Sequence, residues 1–446
     1  MMMQFPDYVL TALSRLHAAG FEAYVVGGCV RDALMGRTPG DYDVTTSALP
    51  EETAAVFAGE RVIKTGLRHG TVTVLLDGCP LEITTFRVDG AYSDARHPDA
   101  VSFTRSLRED LARRDFTMNA LAWSPQTALV DPFGGASDIR ARVIRCVGDP
   151  GTRFREDALR ILRCLRFAAV LGFSVEPATA AAARENRALL ARISAERVSE
   201  ELKKLVCGGS VRRVVLEETE VLGAVVPELL PLRGFDQRNP NHCYDILEHA
   251  AAVCEAVPPE PVLRLAALLH DLGKPDCFFL GEDGVGHFYG HAQRGAELVE
   301  PILRRLRFDN ESWERITELV RRHDLRIEPT DKGVARCLRR FGPEFFFQLV
   351  QLKKADALAH APGAARAERV QRSEELERIG RELLARKACF SLRDLAVNGN
   401  DLLAEGCAPG PAVGEVLNAL LDAVTDGQVP NERCALLAYF KEKFGI

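Results

Sequence analysis

Around Asp157 the sequence changes its period, and that change limits the folds open to the chain more than any other feature. Before it, RVIKTG, HGTVTVLL and LEITTFRV alternate apolar with polar residues and are rich in β-branched side chains, the pattern of half-buried strands. After it, EDALRILRCLRFAAVLGF and ATAAAARENRALLARISAERVSEELKKLV repeat apolar residues at helical spacing, and no convincing strand cluster follows. The expected class is α+β, a mixed sheet with helices followed by an all-α remainder. At 446 residues the chain has length for two to four domains. Turn-rich joints at GDPGTR (148–153), CGGS (207–210) and RNPNH (238–242), with a charged helix near 365–386, suggest segments 1–147, 148–209, 210–375 and 376–446.

Within the first segment, residues 27–46 read GGCVRDALMGRTPGDYDVTT. The apolar run Phe21 to Val26 ends in Gly27 and Gly28, and Val30 to Met35 has the length of a short helix closed by Gly36, so the order is strand, tight turn, helix. Glycine lets backbone approach a ligand closely and leaves amides for phosphate beside a helix start, with Arg31 one turn on. Side chains two apart in a strand share a face, so a strand carrying Asp41 and Asp43 projects both carboxylates together while Tyr42 and Val44 enter the core. Such a pair repels itself unless a cation intervenes, and Mg²⁺ suits hard oxygen ligands shared with substrate phosphates. A solvated loop DxD is the plainer alternative; the glycines at this spacing favour the site. Glu82 in LEITTFR is a candidate third carboxylate.

Bulk composition narrows the function classes. Hydrophobic residues are 47% and charged residues 27%, with no run of about 18 apolar residues, so a membrane role has no support. The opening residues lack a basic start followed by an apolar run, which points to a cytoplasmic location. The 12 cysteines lie in apolar surroundings without paired CxxC spacing, as expected of buried free thiols. Net charge is -6, yet eight arginines face three acids between Ile139 and Arg166, and Lys203, Lys204, Arg212 and Arg213 continue the excess. That is either a phosphate-binding face or a solvated helix face.

Several ordered motifs resemble the bacterial tRNA nucleotidyltransferase and poly(A) polymerase family, within the polymerase-β-like nucleotidyltransferase superfamily. They are the stretch 27–46, RVDGAYSDARHPDAVSF (87–103), RRDFTMNALAW (113–123), DPFGGASDIRARVIRCVG (131–148) and RFREDALRILRCLRFAA (153–169). The resemblance covers nearly the whole chain. It implies a five-stranded-type nucleotidyltransferase head, then helical neck, body and tail, with Asp41 and Asp43 as Mg²⁺ ligands. It also assigns Arg114, Asp115 and Asn119 to the motif holding the sugar and phosphates of the incoming nucleotide. An Arg114–Asp115 ion pair is the plainer reading of two of them and leaves Asn119 unexplained. The stretch 87–103 reads as a mobile loop between head strands, and its counterpart in the resembled family accompanies the switch from C to A addition.

Asp157 and Arg160 stand three apart in EDALR and share a face if that stretch is helical. Cytosine and adenine both present an amino donor beside a ring-nitrogen acceptor, whereas uracil and guanine present a carbonyl beside an N–H. A fixed carboxylate next to a fixed guanidinium pairs with the first two and leaves buried groups unpaired against the others. The family is thought to read bases with this motif, which carries that role to Asp157 and Arg160, with Arg163 in support. An intrahelical ion pair is the alternative.

Further on, His249, His270 with Asp271, His291, His323 and Asp356 follow the order H, HD, H, H, D, which resembles the HD-domain phosphohydrolase superfamily, a domain also fused to some tRNA nucleotidyltransferases. Imidazole and carboxylate together make a site for a second divalent metal. The expected function is template-independent addition of CCA to the tRNA 3′ end from CTP and ATP with release of pyrophosphate. A poly(A) polymerase or A-adding enzyme, or chiefly an HD phosphohydrolase, are the alternatives.

Overall fold

A computed structural model describes residues 3–444 apart from 65, 68–69, 91–100, 387–388 and 391. The chain divides into two compact units, residues 1–230 and 231–446.

The first unit begins with helix α1 (Asp7–Ala18), strand β1 (Ala23–Val26), helix α2 (Gly28–Leu34), strand β2 (Asp43–Thr46) and helix α3 (Pro50–Val56). Strands β3 (Arg61–Ile63), β4 (Thr71–Leu76) and β5 (Cys79–Thr85) follow. Next come β6 (Arg87–Asp89), β7 (Val101–Phe103), helix α4 (Leu107–Ala112), β8 (Ala122–Ser124) and β9 (Ala128–Val130). One sheet of seven strands, in the order β3-β4-β5-β2-β1-β8-β9, replaces the five expected. Its neighbours are antiparallel except β2 and β5, which run parallel with Asp43 opposite Glu82. TVTVLL in β4 alternates half-buried with buried positions, so Val72, Val74 and Leu76 line the packed face and Thr71 and Thr73 the other.

The second strand starts at Asp43, so Asp41 lies in the turn before it, and the expected strand pair is a turn residue and a first strand residue. Tyr42 is only half-buried, edge-on to Phe5 and Tyr8 with ring centroids 6.2 Å from each. Strands β6 and β7 pair antiparallel, Arg87 with Phe103 and Val88 with Ser102; the centre of the expected mobile loop, 91–100, lies outside the described residues.

After helix α5 (Gly135–Ala141) and a two-residue strand β10 (Val143–Ile144) come α6 (Pro150–Glu156) and α7 (Leu159–Leu171). Strand β11 (Ser174–Val175) pairs with β10. Residues 210–230, read from sequence as the opening of the body, belong to the first unit: Val211, Val214 and Val215 are buried, and Arg213 donates to the carbonyls of Ala168 (3.3 Å) and Phe173 (2.8 Å).

Among its described residues the second unit is helical apart from one hairpin, β12 (Phe279–Leu280) with β13 (Gly286–His287), which the helical periodicity of the sequence does not announce. No described helix is long and apolar enough to cross a membrane. All 12 cysteines are free thiols; Cys29, Cys146, Cys164, Cys254, Cys337, Cys389 and Cys407 are buried, and Cys243 and Cys434 are exposed.

Candidate active sites

The acids of the first unit gather at one end of β2 and β5. Directly opposed residues of neighbouring strands sit about 5 Å apart at Cβ, so the register alone brings Glu82 beside Asp43 on one face. Asp43 is exposed at its surface yet crowded: burial raises its pKa, Arg114 opposes that, and the nearby Asp41 and Glu82 carboxylates push it further up. That uncompensated repulsion among hard oxygen donors is what a divalent cation relieves, so the residues fit Mg²⁺.

Gly27 holds φ +79°, and a Cβ there would stand 2.9 Å from Nη1 of Arg114. The glycine is thus required by backbone conformation and by the arginine lying across it. Its amide donates to the Leu121 carbonyl (3.1 Å), whereas from Gly28 onward helix α2 leaves its first amides without intrahelical partners. Arg114 does not pair with Asp115. Its guanidinium lies 3.7 Å from Asp110, a fully buried acid that also accepts from Arg113 (2.9 Å) and from the Thr45 hydroxyl (3.3 Å) of β2. Asp110 was not singled out in the sequence, although REDLARRD places it three and four residues before both arginines.

Asp115, Asn119, Arg31 and Arg163 form one buried network. Arg31 Nη1 donates to Asn119 Oδ1 (2.8 Å) while its other donors take Asp32 (2.9 and 3.1 Å). Asn119 Nδ2 donates to Asp115 Oδ1 (3.0 Å), which also takes the Phe116 amide (2.8 Å). Asp115 Oδ2 receives Arg163 through Nε (2.9 Å) and Nη2 (2.7 Å), across 48 residues of chain. Burial works against ionisation of Asp115, but Arg163 and Asn119 prevail and hold its pKa at about 2. Both Arg31 and Arg163 also lie over the Phe167 ring, 5.1 and 5.6 Å from its centroid.

EDALR is not one continuous helix. Asp157 ends α6 in an extended conformation (φ -137°, ψ 103°), and its carboxylate accepts the Leu159 amide (3.1 Å), which starts α7. The Arg160 guanidinium pairs with Glu156 (2.8 Å) and donates to the Arg153 and Arg113 carbonyls (3.2 and 2.9 Å), so its link to Asp157 is through the backbone, amide to carbonyl at 3.0 Å. The guanidinium beside Asp157 is that of Arg197 (3.0 Å), from helix Ala195–Val206, which sequence spacing gave no reason to select. Most arginines of the basic stretch are engaged in the same way: Arg145 with Asp138 and Glu176, Arg153 with Glu156, Arg155 with Asp149, and Arg166 with Glu201.

In the second unit all six residues of the H, HD, H, H, D series converge. Asp271, fully buried, turns Oδ2 toward His270 Nε2 (3.1 Å) and His249 Nε2 (3.6 Å), and Oδ1 toward His291 Nε2 (3.5 Å) and His323 Nε2 (3.8 Å). Asp356 accepts from His249 (2.9 Å). One carboxylate therefore bridges two donor groups, His249–His270–Asp271 and Asp271–His291–His323, and a third group joins His249, Asp356 and His360. Among the described residues, every group of three or more donor atoms within 4.8 Å of one another lies here; the head acids are more widely spaced.

The histidines are aimed in advance. His270, His291 and His323 each use Nδ1 on the carbonyl three residues earlier, Ala267, Phe288 and Val320, at 2.7–2.8 Å. Their Nε2 lone pairs are thereby directed inward. His291 and His323 bring these nitrogens to 3.0 Å, and His270 Nε2 is buried 3.1 Å from Asp271 Oδ2 but out of line for a hydrogen bond with it. Facing acceptors and an orphaned nitrogen are the signature of a donor set suited to a divalent ion. Lys274 contacts Asp271 (2.7 Å), and His360 and His242 stand near by; none of these three was marked in the sequence.

A sheet with clustered acids beside a glycine turn, backed by a buried arginine–aspartate–asparagine network, defines a nucleotidyltransferase. The family description "Poly A polymerase head domain" matches residues 23–145, "tRNA nucleotidyltransferase domain 2" matches 291–440, and an RNA- and SrmB-binding site of polymerase A matches 172–232. The CCA-adding enzyme of Limosilactobacillus fermentum is 36% identical over 428 residues, 95% of this chain and 94% of that protein. That of Geobacillus stearothermophilus is 36% identical over 441 residues, covering 97% and 96%. The crystal structure of the Bacillus stearothermophilus CCA-adding enzyme in complex with CTP superposes with a TM-score of 0.73 at 34% identity, covering 99% of this chain and 98% of that one. The chain belongs to the family of CCA-adding enzymes.

Proposed function

We propose that the protein adds CCA to the 3′ end of tRNA from CTP and ATP, without a nucleic-acid template and with release of pyrophosphate. The observation that carries this is the end-to-end match to a CTP-bound CCA-adding enzyme, and the acids around Asp43 and the Asp115 network support it. In this reading 1–147 is the head, 148–209 the neck with 210–230 packed in the same unit, 231–375 the body and 376–446 a tail contacting tRNA.

Asp41 and Asp43, with Glu82 beside them, would hold Mg²⁺, which when bound lowers the cost of charge on the attacking hydroxyl and the departing pyrophosphate. The chain itself seats the triphosphate near Gly28 and Arg114, and Asp115 and Asn119, fixed by Arg163 and Arg31, present acceptors to the ribose hydroxyls. Gly27 acts by letting Arg114 approach. Asp157 supplies the acceptor toward the base amino group. Arg160 supplies donors once the base competes with Glu156 for its guanidinium, and Arg197 holds Asp157 in place.

Labelled CTP and ATP, offered separately and together to tRNA lacking its end, test the reading. Incorporation of C then A is expected; tracts of A, or no incorporation, overturn it. Asp157→Ala is expected to relax the preference for CTP over UTP, and an unchanged ratio removes the base-reading role.

A second reading concerns the body. The bridging Asp271 favours an HD-type site that holds divalent metal at His249, His270, Asp271, His291, His323 and Asp356 and hydrolyses phosphoesters at nucleotide or RNA ends. Metal-dependent release of phosphate from adenosine 3′-monophosphate or opening of a 2′,3′-cyclic phosphate by the purified chain tests it, and loss of neither on Asp271→Ala refutes it.

A further inference from the structure

The histidine cluster opens on a cavity of about 290 Å³ whose wall includes Asp271, His291, His323 and Asp356, and also His287 and Tyr289. These last two belong to the hairpin β12–β13 and the turn after it. Gly286 is fixed against the Gln237 carbonyl, which a Cβ would meet at 2.1 Å, and its amide donates to the Arg238 carbonyl (2.8 Å). The hairpin is therefore anchored at its base and presents its aromatic side chains outward.

Three rings meet there. His287 and Tyr289 are stacked, centroids 5.5 Å apart at 18°, and Phe279, paired with His287 across the hairpin, lies 5.4 and 5.5 Å from the two. Tyr289 is 75% exposed and Phe279 45%, so an aromatic surface is left open to solvent rather than spent on the core. Folding alone gives no reason to leave three rings in this state. Tyr289 is two residues from His291, whose ring is clamped to the Phe288 carbonyl, so the surface and a donor of the cluster share one short piece of chain. Lys274 and Arg369 line the same cavity; Lys274 is buried against Asp271 and Gln237, and Arg369 meets the His360 ring at 3.1 Å.

We infer that Phe279, His287 and Tyr289 form a stacking platform that binds the nucleobase of a nucleoside phosphate whose phosphate enters the histidine and aspartate cavity. The inference rests on the phosphoester reading of that cavity and names its substrate class: a terminal nucleotide, free or at an RNA end, in preference to an aliphatic phosphate. Aromatic faces stack any base, so the platform selects for the presence of a base rather than its identity. The cations Lys274 and Arg369 complement the phosphate.

Photolabelling the full-length protein with 2-azidoadenosine 3′-monophosphate, followed by peptide mapping, reads the platform without relying on turnover. Label is expected on a peptide spanning 279–289, reduced about tenfold or more in the double variant Phe279→Ala/Tyr289→Ala and restored in Tyr289→Phe. Label confined to residues 1–230, or unchanged in the double variant, overturns the inference. Phosphate release with Mn²⁺ supplies the second arm: the KM of adenosine 3′-monophosphate relative to glycerol 3-phosphate is expected to rise about tenfold in Tyr289→Ala. Absence of phosphate release from both compounds defeats the phosphoester reading while the photolabel still judges the platform; equal KM values in wild type defeat the platform alone.

Discussion

Replacing Arg163 by methionine tests whether helix α7 organises the buried Asp115 network. Asp115 is only 8% exposed, and its carboxyl is held at about 2 in place of its ordinary 3.8. At 1.36 kcal/mol per pKa unit that difference is about 2.4 kcal/mol of stability. It is fully present above the unfolded value, near pH 4 to 5, and is lost as pH falls through the folded value. Removing one partner of a buried pair costs about 3–5 kcal/mol because the other charge stays behind. Here Oδ1 keeps Asn119 and the Phe116 amide, so the low end, about 3 kcal/mol, is expected at pH 7. Without Arg163, burial is opposed only by Asn119 and Arg160, so the Asp115 pKa rises from about 2 and the variant gains less stability than wild type as pH rises. The gap to wild type therefore widens from pH 4 to pH 7. The chain has two tryptophans, Trp123 in β8 and Trp313 in the second unit, so urea titrations read by Trp123 fluorescence in a Trp313→Phe background follow the first unit alone. A gap under about 1 kcal/mol at pH 7, or one that does not narrow at pH 4, refutes the argument.

Asp43→Asn is expected to lower nucleotide incorporation about 10³-fold or more while raising the melting temperature, because an acid whose folded pKa is raised costs stability when ionised; calorimetry beside the incorporation assay checks both. Gly27→Ala forces a side chain into a positive-φ position and displaces Arg114, so a loss of about 1–2 kcal/mol and a higher KM for CTP are expected in the same urea and kinetic measurements. Asp271→Ala is expected to abolish Mn²⁺ binding by the second unit in equilibrium dialysis while CTP and ATP incorporation persists; retained binding would mean that Asp271 does not bridge.

Motifs formed from near neighbours were legible from sequence. The glycine turn, helix α2, the acids of GDYDVTT and the strands β3 to β5 all follow from spacing within a few residues, and each formed where the pattern placed it, except that Asp41 stops short of its strand. The six metal-type residues of the second unit were legible because imidazoles are scarce and their order is distinctive. Pairings across the chain were not. Asp43 meets Glu82 through a strand register, Asp115 meets Arg163 across 48 residues, and Asp157 meets Arg197 across 40, and no local period encodes any of these. Helical spacing also misjudged EDALR, because an aspartate able to cap the following amide can end one helix and begin the next. The aromatic hairpin near 279–289 escaped notice because two-residue strands leave no alternation to detect.

Three neck arginines reach back to one short turn of the head: Arg153 to the Ala112 carbonyl at 3.1 Å, Arg160 to that of Arg113 at 2.9 Å, and Arg163 to the side chain of Asp115. A chimera joined at residue 148 would carry all three clasps across its seam; two end on main-chain carbonyls that any sequence supplies, and Arg163–Asp115 alone needs a side chain from each half. Residues 110–115 and 150–163 therefore form a single module with two addresses in the chain, and a transplant of either keeps its clasp only where the acid at 115 and the arginine at 163 travel as a pair.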